Sequence, residues 1–193
     1  MIIVTIIIAA VVSAFSGGMS TSVKSAPATS FEFKIYQKYV QASYGTSQTS
    51  GIAYITATLK NGETLNTQDL KIISSHRDAN GNLVYYTFDP ASNTSQQTKG
   101  TGGTSSTPIG FRSFSGPGTY KNFGLPGVYW HEGDLFSGLS CLVLGLGPQP
   151  SNIAYCNPSN PTSYAPKVGD VFDIEVVDKP TNTVIYQTEV TVI

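Results

Sequence analysis

Met1-Ile2-Ile3-Val4-Thr5-Ile6-Ile7-Ile8-Ala9-Ala10-Val11-Val12-Ser13-Ala14-Phe15 opens the chain without a charged side chain, and the first one after it is Lys24. Nine of these fifteen side chains are β-branched, so periodicity alone does not separate a helix from a buried strand. Length does: strands usually stop near ~8 residues, and the run predicts a helix. A helix that is apolar all round must be enclosed on every side. At ~1.5 Å per residue it would be roughly 22 Å long, short of the ~30 Å hydrocarbon core of a bilayer, so by itself it makes a poor membrane span.

Three burial modes compete. A secretory signal has an apolar stretch of this length, and Val12-Ser13-Ala14 has the small residues of a cleavage site, but no basic residue precedes the run. A core helix of the adjoining domain is the simplest packing, yet Ser16 to Ser30 are mostly small and polar. Gly17, Gly18 and Pro27 make that stretch a hinge that detaches the helix from the domain. The third mode is burial against copies of the same segment, each supplying the apolar surroundings of its neighbours.

The remaining residues suffice for one domain, giving the expectation of an assembly helix over 1–18, a hinge over 19–30 and a head domain over 31–193. Charged residues are 12% of the chain, about half the usual share, whereas Ser and Thr number 22 and 21. A net charge of −1 gives no attraction for nucleic acid or anionic lipid, and a nucleic-acid partner is set aside. Cys141 and Cys156 close a short loop containing Gly147, Pro148 and Pro150. In an exported protein such a pair forms a disulfide worth roughly 3 kcal/mol in the chain-entropy model. Asn93-Thr94-Ser95 is a glycosylation sequon, whereas Asn160-Pro161-Thr162 is excluded by its proline. Low charge, abundant hydroxyls, paired cysteines and a sequon together place the chain outside the cell.

From Phe31 the pattern alternates. Phe31, Phe33 and Ile35 share one face of a strand and Glu32, Lys34 and Tyr36 the other. Ile55, Ala57 and Leu59 alternate with Tyr54, Thr56 and Thr58 until Asn61-Gly62 signals a turn. Leu70 and Ile72 begin a further strand, and Asp78-Ala79-Asn80-Gly81-Asn82 leads into Leu83–Phe88. The acidic and amide residues of that turn resemble part of a calcium loop, but an Asn-Gly hairpin accounts for them with fewer assumptions. Residues 91–107 carry no large apolar side chain and form an exposed loop. Short strands are expected around Ile109–Phe114, Val128–Trp130 and Leu142–Leu146, and a closing hairpin over Val171–Val177 and Val184–Val192. Seven to nine strands at this spacing predict an immunoglobulin-like antiparallel β-sandwich. With the leading helix, the expected fold class is α+β.

Few residues offer chemistry. There is no Gly-x-Ser-x-Gly elbow, no His-Glu-x-x-His and no phosphate loop. His131-Glu132-Gly133-Asp134 after Trp130 is the densest functional cluster. An aromatic beside carboxylates suits a metal or a sugar, while a solvated loop beside a half-buried Trp is the simpler account. His76 is expected at the surface. The chain is read as a non-enzyme without metal or cofactor.

Met1–Phe15 followed by Ser16-Gly17-Gly18-Met19 resembles the distal part of the N-terminal helix of archaeal type IV pilins, as found in methanogens and haloarchaea. The hinge Val23-Lys24-Ser25-Ala26-Pro27-Ala28-Thr29-Ser30 into Phe31-Glu32-Phe33 is similar to that family's passage into its first strand. Ala57–Leu65, Leu70-Lys71-Ile72 and the closing Val168-Gly169-Asp170 with its hairpin resemble parts of that family's head domains. The resemblance implies a subunit of a helical extracellular filament, with helices in its core and β heads outside, held in the membrane before assembly. Family members carry a charged leader, a cleavage site and further apolar residues ahead of the point matching Met1. On that pattern Met1 is not the natural start, or the helix is unusually short.

For such a filament Ile2, Ile3, Val4, Ile6, Ile7, Ile8, Val11, Val12 and Phe15 form the core seam. Burying about thirteen apolar side chains at roughly 1.5–3 kcal/mol each gives tens of kcal/mol before entropy is subtracted. A heterologous, non-closing contact between identical subunits then yields a helical polymer rather than a ring. The heads would carry adhesion to surfaces or cells, with residues 91–107 and Trp130–Asp134 as candidate contact surfaces. Two alternatives stand beside this reading. One is a secreted or membrane-tethered β-sandwich that binds or acts on carbohydrate. The other is an archaellum-type motility filament, disfavoured because the Gly-Leu-Glu opening usual there is missing from this chain.

Overall fold

The computed structural model describes residues 25–39, 51–78, 80–92, 111–114, 120–147, 156–159 and 163–193. These residues are mostly β. In chain order they form β1 (Thr29–Tyr39), β2 (Ile52–Gly62), β3 (Leu65–Asn66), a 3-10 turn (Thr67–Asp69), β4 (Leu70–Arg77) and β5 (Leu83–Phe88). There follow β6 (Arg112–Phe114), β7 (Tyr120–Asn122), β8 (Tyr129–Trp130), β9 (Leu135–Leu139), α1 (Ser140–Val143), β10 (Val171–Asp178) and β11 (Thr183–Thr191).

The helix-plus-immunoglobulin-sandwich expectation is corrected by this architecture. The described strands form three antiparallel sheets, ordered β1-β2-β9-β6-β7, β11-β10-β4-β5 and β3-β8. Their only α-helix is the four-residue α1, and none of the described helices is long and apolar enough to cross a membrane. The expected leading helix falls on residues outside the described ones. Leu142–Leu146, expected as a strand, instead begins in α1: Leu144 N–H donates to Ser140 O at 2.8 Å and Leu146 N–H to Cys141 O at 2.9 Å. A short apolar run fits either conformation until its surroundings choose.

Alternation builds the core. Phe31, Phe33 and Ile35 pair with Leu59, Ala57 and Ile55, and directly opposed residues share a face. All six are buried, and they join Ile72, Ile174, Phe172 and Val176 from the second sheet in one hydrophobic cluster. Trp130 sits at its centre, fully buried, with ring centroids 4.8 Å from both Phe31 and Phe136. It is therefore not the half-buried residue the sequence suggested. The indole N–H still needs a partner and finds Asp134 O at 3.0 Å.

The two large sheets meet at a seam. Val192 bridges Ile35 in parallel, Ile193 N–H donates to Ile35 O and Gln37 N–H to Ile193 O, both at 2.9 Å. The β10–β11 hairpin closes through Asp178, whose carboxylate accepts from Thr181 N–H at 3.0 Å and Thr181 O–H at 2.6 Å. Cys141 and Cys156 are disulfide-bonded, with Cα atoms 5.7 Å apart, and both are buried.

Registers give the body two ends. At one lie Thr29, paired with Gly62, and the Asp178–Thr183 turn, since Asp178 pairs with both Leu70 and Thr183. At the other lie the end of β1, the Asp78–Asn82 turn and α1, since Tyr54 pairs with Leu139 immediately before α1. The eleven residues of β1 separate these ends by about 36 Å at ~3.3 Å per residue.

Candidate functional site

The described chain enters the first sheet at Thr29, opposite Gly62. Residues 25–28 lead in without regular structure and include the half-buried hinge residue Pro27. Gly62, at φ +134°, lets the lead-in pass: a Cβ there would lie 2.7 Å from Ala28 O, closer than two such atoms can approach. Thr29 O–H donates to Ile185 O across the seam at 3.4 Å. The proposed assembly residues Ile2, Ile3, Val4, Ile6, Ile7, Ile8, Val11, Val12 and Phe15, the hinge glycines Gly17 and Gly18, and the sequon residue Asn93 lie outside the described residues.

The Trp130–Asp134 segment is a turn held by its own groups. Asp134 accepts through Oδ2 from His131 N–H at 3.0 Å and lies 2.9 Å from His131 Nδ1. Gly133 N–H donates to Leu59 O at 2.8 Å, which fixes the turn beside β2. With Trp130 inside the core, no indole face remains on which a sugar could stack. Among the described residues no group of three or more His, Cys, Asp or Glu is placed to hold a metal ion.

Asp78 belongs to its hairpin. Its Oδ1 accepts from Asn80 N–H at 2.8 Å and Asn82 N–H at 2.9 Å. These donors, Asn82 foremost, hold its carboxyl below the ordinary value. A carboxylate engaged by its own backbone is what an Asx-type turn requires. His76, expected at the surface, is half-buried, its ring centroid 5.1 Å from that of Phe172. Burial pushes its pKa down, against the opposing pull of Asp170 and Asp78.

His76 also lines a shallow groove of about 410 Å³ with Arg77, Leu83, Asp170, Phe172 and Glu189 among others. Sequence reasoning missed this groove because its residues are far apart along the chain. Only the cross-strand registers of β4, β5, β10 and β11 bring them together. At the opposite end, Lys179 Nζ lies 2.9 Å from Asp89 Oδ1, in a partly buried ion pair. Burial works against the charged form of Asp89, but Lys179 and Ser92 outweigh it and hold the carboxyl below its ordinary value.

No protein-family model, curated protein or solved structure matches the chain.

Proposed function

We propose that this protein is the structural subunit of an extracellular filament, polymerised through the apolar segment Met1–Phe15 and presenting its β domain outward for adhesion. The observation that carries the proposal is that segment's composition: fifteen residues without a charged side chain, joined by a small polar stretch to a domain whose described core is built from residues 31 to 192. Apolar surface on that scale has to be removed from water, and identical copies offer a matched partner. Before assembly the same segment would be held at a membrane. The buried Cys141–Cys156 disulfide supports an oxidising, external compartment. The likeness of Met1–Met19 to archaeal type IV pilins supports the same reading.

The test is Ile7→Asp. A carboxylate in an apolar bundle is a buried unpaired charge costing several kcal/mol per subunit. The variant should fold, by circular dichroism, and form no filaments in negative-stain micrographs. Filaments of normal length and number from Ile7→Asp would refute the assignment.

A further inference from the structure

We infer that β5 is a docking edge: its outward side pairs in antiparallel register with β5 of a second copy of this chain, joining their β11-β10-β4-β5 sheets into one. Where the chain polymerises, this contact falls between filaments and bundles them. That last step rests on the filament reading; the pairing of two domains does not.

The other edges of the two large sheets are closed or blunted. β1 and β11 meet at the seam, where Val192 bridges Ile35 and Ile193 bonds to Ile35 and Gln37. β7 is three residues long and carries Lys121 at its middle. Short strands and lysine keep an edge from recruiting another chain. β5 has neither safeguard. Leu83-Val84-Tyr85-Tyr86-Thr87-Phe88 contains no charge, proline or glycine, follows β4 without a register shift, and among the described residues no strand lies beyond it. Leu83, Val84 and Tyr85 are 47%, 37% and 69% exposed. A strand with one wet face exposes every second residue, so three consecutive exposed apolar side chains mark a surface that a partner covers.

Backbone direction and side-chain chemistry select the occupant. Asp78 N–H donates to Asn82 O at 2.9 Å. Counting alternate pairs from that bond, Val84 exchanges bonds with His76, whereas the N–H and C=O of Leu83 and Tyr85 point away from β4. Such a row accepts an extended chain. A second β5 laid antiparallel, Val84 opposite Val84, lets Leu83 of each copy exchange backbone bonds with Tyr85 of the other. The contact is two-fold, and no charge on β5 repels its equivalent. Leu83 and Tyr85 share the wet face with Arg77, Ser75 and Asp173. Tyr85 of the second copy therefore packs on Leu83 at the rim of the groove lined by Arg77, Val171, Asp173 and Glu189, whose carboxylates suit a phenol O–H donor. A helical filament built from one heterologous contact has no two-fold between its outward domains, so the second copy comes from another filament.

Ile7→Asp, which keeps the chain unassembled, separates the edge contact from polymerisation. In sedimentation velocity that variant should show a concentration-dependent monomer–dimer boundary. Tyr85→Pro removes an N–H of the outward row and none that β4 uses, and Leu83→Lys puts a charge on the edge. Either one added to Ile7→Asp should leave the far-ultraviolet circular dichroism unchanged and the boundary monomeric. Val84→Cys in the same background sets equivalent thiols opposite one another, while the native cysteines stay in their disulfide. Mild oxidation should link it into dimers about tenfold faster or more than Lys34→Cys, an exposed position on the other sheet, because opposed strand positions lie within disulfide reach. In negative-stain micrographs the parent polymer should lie in bundles and the Tyr85→Pro polymer as single filaments. A monomer at every concentration, or linking at position 84 no faster than at position 34, overturns the edge contact even where filaments form. Equal bundling by Tyr85→Pro overturns the bundling role. A parent chain that forms no polymer, with the Val84→Cys dimer present, removes the filament reading and leaves the pairing of domains standing.

Discussion

Replacing Trp130 with Ala would remove the side chain on which the first sheet, the β3–β8 ribbon and the His131–Asp134 turn converge. The indole is fully buried and touches four rings, with centroids at 4.8 Å for Phe31 and Phe136, 5.9 Å for Phe123 and 6.1 Å for Phe111. Truncating a buried Trp to Ala costs about 3–5 kcal/mol, much of the 5–15 kcal/mol by which an ordinary domain is stable. For a domain of this size the melting temperature should fall by about 2–4 °C per kcal/mol, or roughly 6–20 °C in all. Trp130→Phe keeps a ring in the cluster but loses the 3.0 Å bond to Asp134 O and leaves a cavity where the second ring of the indole lay, so it should cost about 1–3 kcal/mol, less than the alanine variant. Urea and thermal denaturation followed by far-ultraviolet circular dichroism measure both variants. A loss below about 1 kcal/mol for Trp130→Ala would show that the indole is not the keystone of the core.

Two further perturbations probe other parts of the body. Replacing Cys141 and Cys156 together by Ala opens a link spanning 15 residues and should lower stability by about 3 kcal/mol, seen as a melting point unaffected by reductant in the variant and lowered by it in the parent. Asp89→Asn removes the pairing with Lys179. Because the folded carboxyl titrates below its ordinary value of 3.8, that pairing stabilises the fold above the ordinary value and the benefit is lost as pH falls through the folded one. The gap in urea midpoint between parent and variant should be open at pH 6 and closed in strong acid, and a gap independent of pH would contradict the pairing.

Sequence pattern shows the strands that have one wet face. Phe31-Glu32-Phe33-Lys34-Ile35 alternates cleanly because Glu32 and Lys34 reach solvent, and they pair there at 3.0 Å. Phe172, Ile174 and Val176 do the same in β10, and the Asn80-Gly81 turn announced its own hairpin. The pattern was less informative where both faces are covered: in β2, a strand paired on both edges with β1 and β9, Tyr54 and Thr56 are buried along with Ile55 and Ala57. Leu135–Leu139 escaped notice as a strand because Gly138, facing inward beside Ile55, interrupts the apolar count. Trp130 looked half-wet from its polar neighbours in sequence, whereas its neighbours in space are aromatic. The groove beside His76 had no local signal at all, being assembled by long-range register. The entry end was foreshadowed by Asn61-Gly62, whose glycine serves both the turn and the passage of Ala28.

The central claim is that Met1–Phe15 is sheltered by other copies of itself. Sedimentation velocity of the whole chain in detergent-free buffer, with the same sample imaged on grids, tests it most directly. The account predicts fast-sedimenting polymer visible as filaments of uniform width. A single monomeric boundary, with that segment protected from protease, would contradict it.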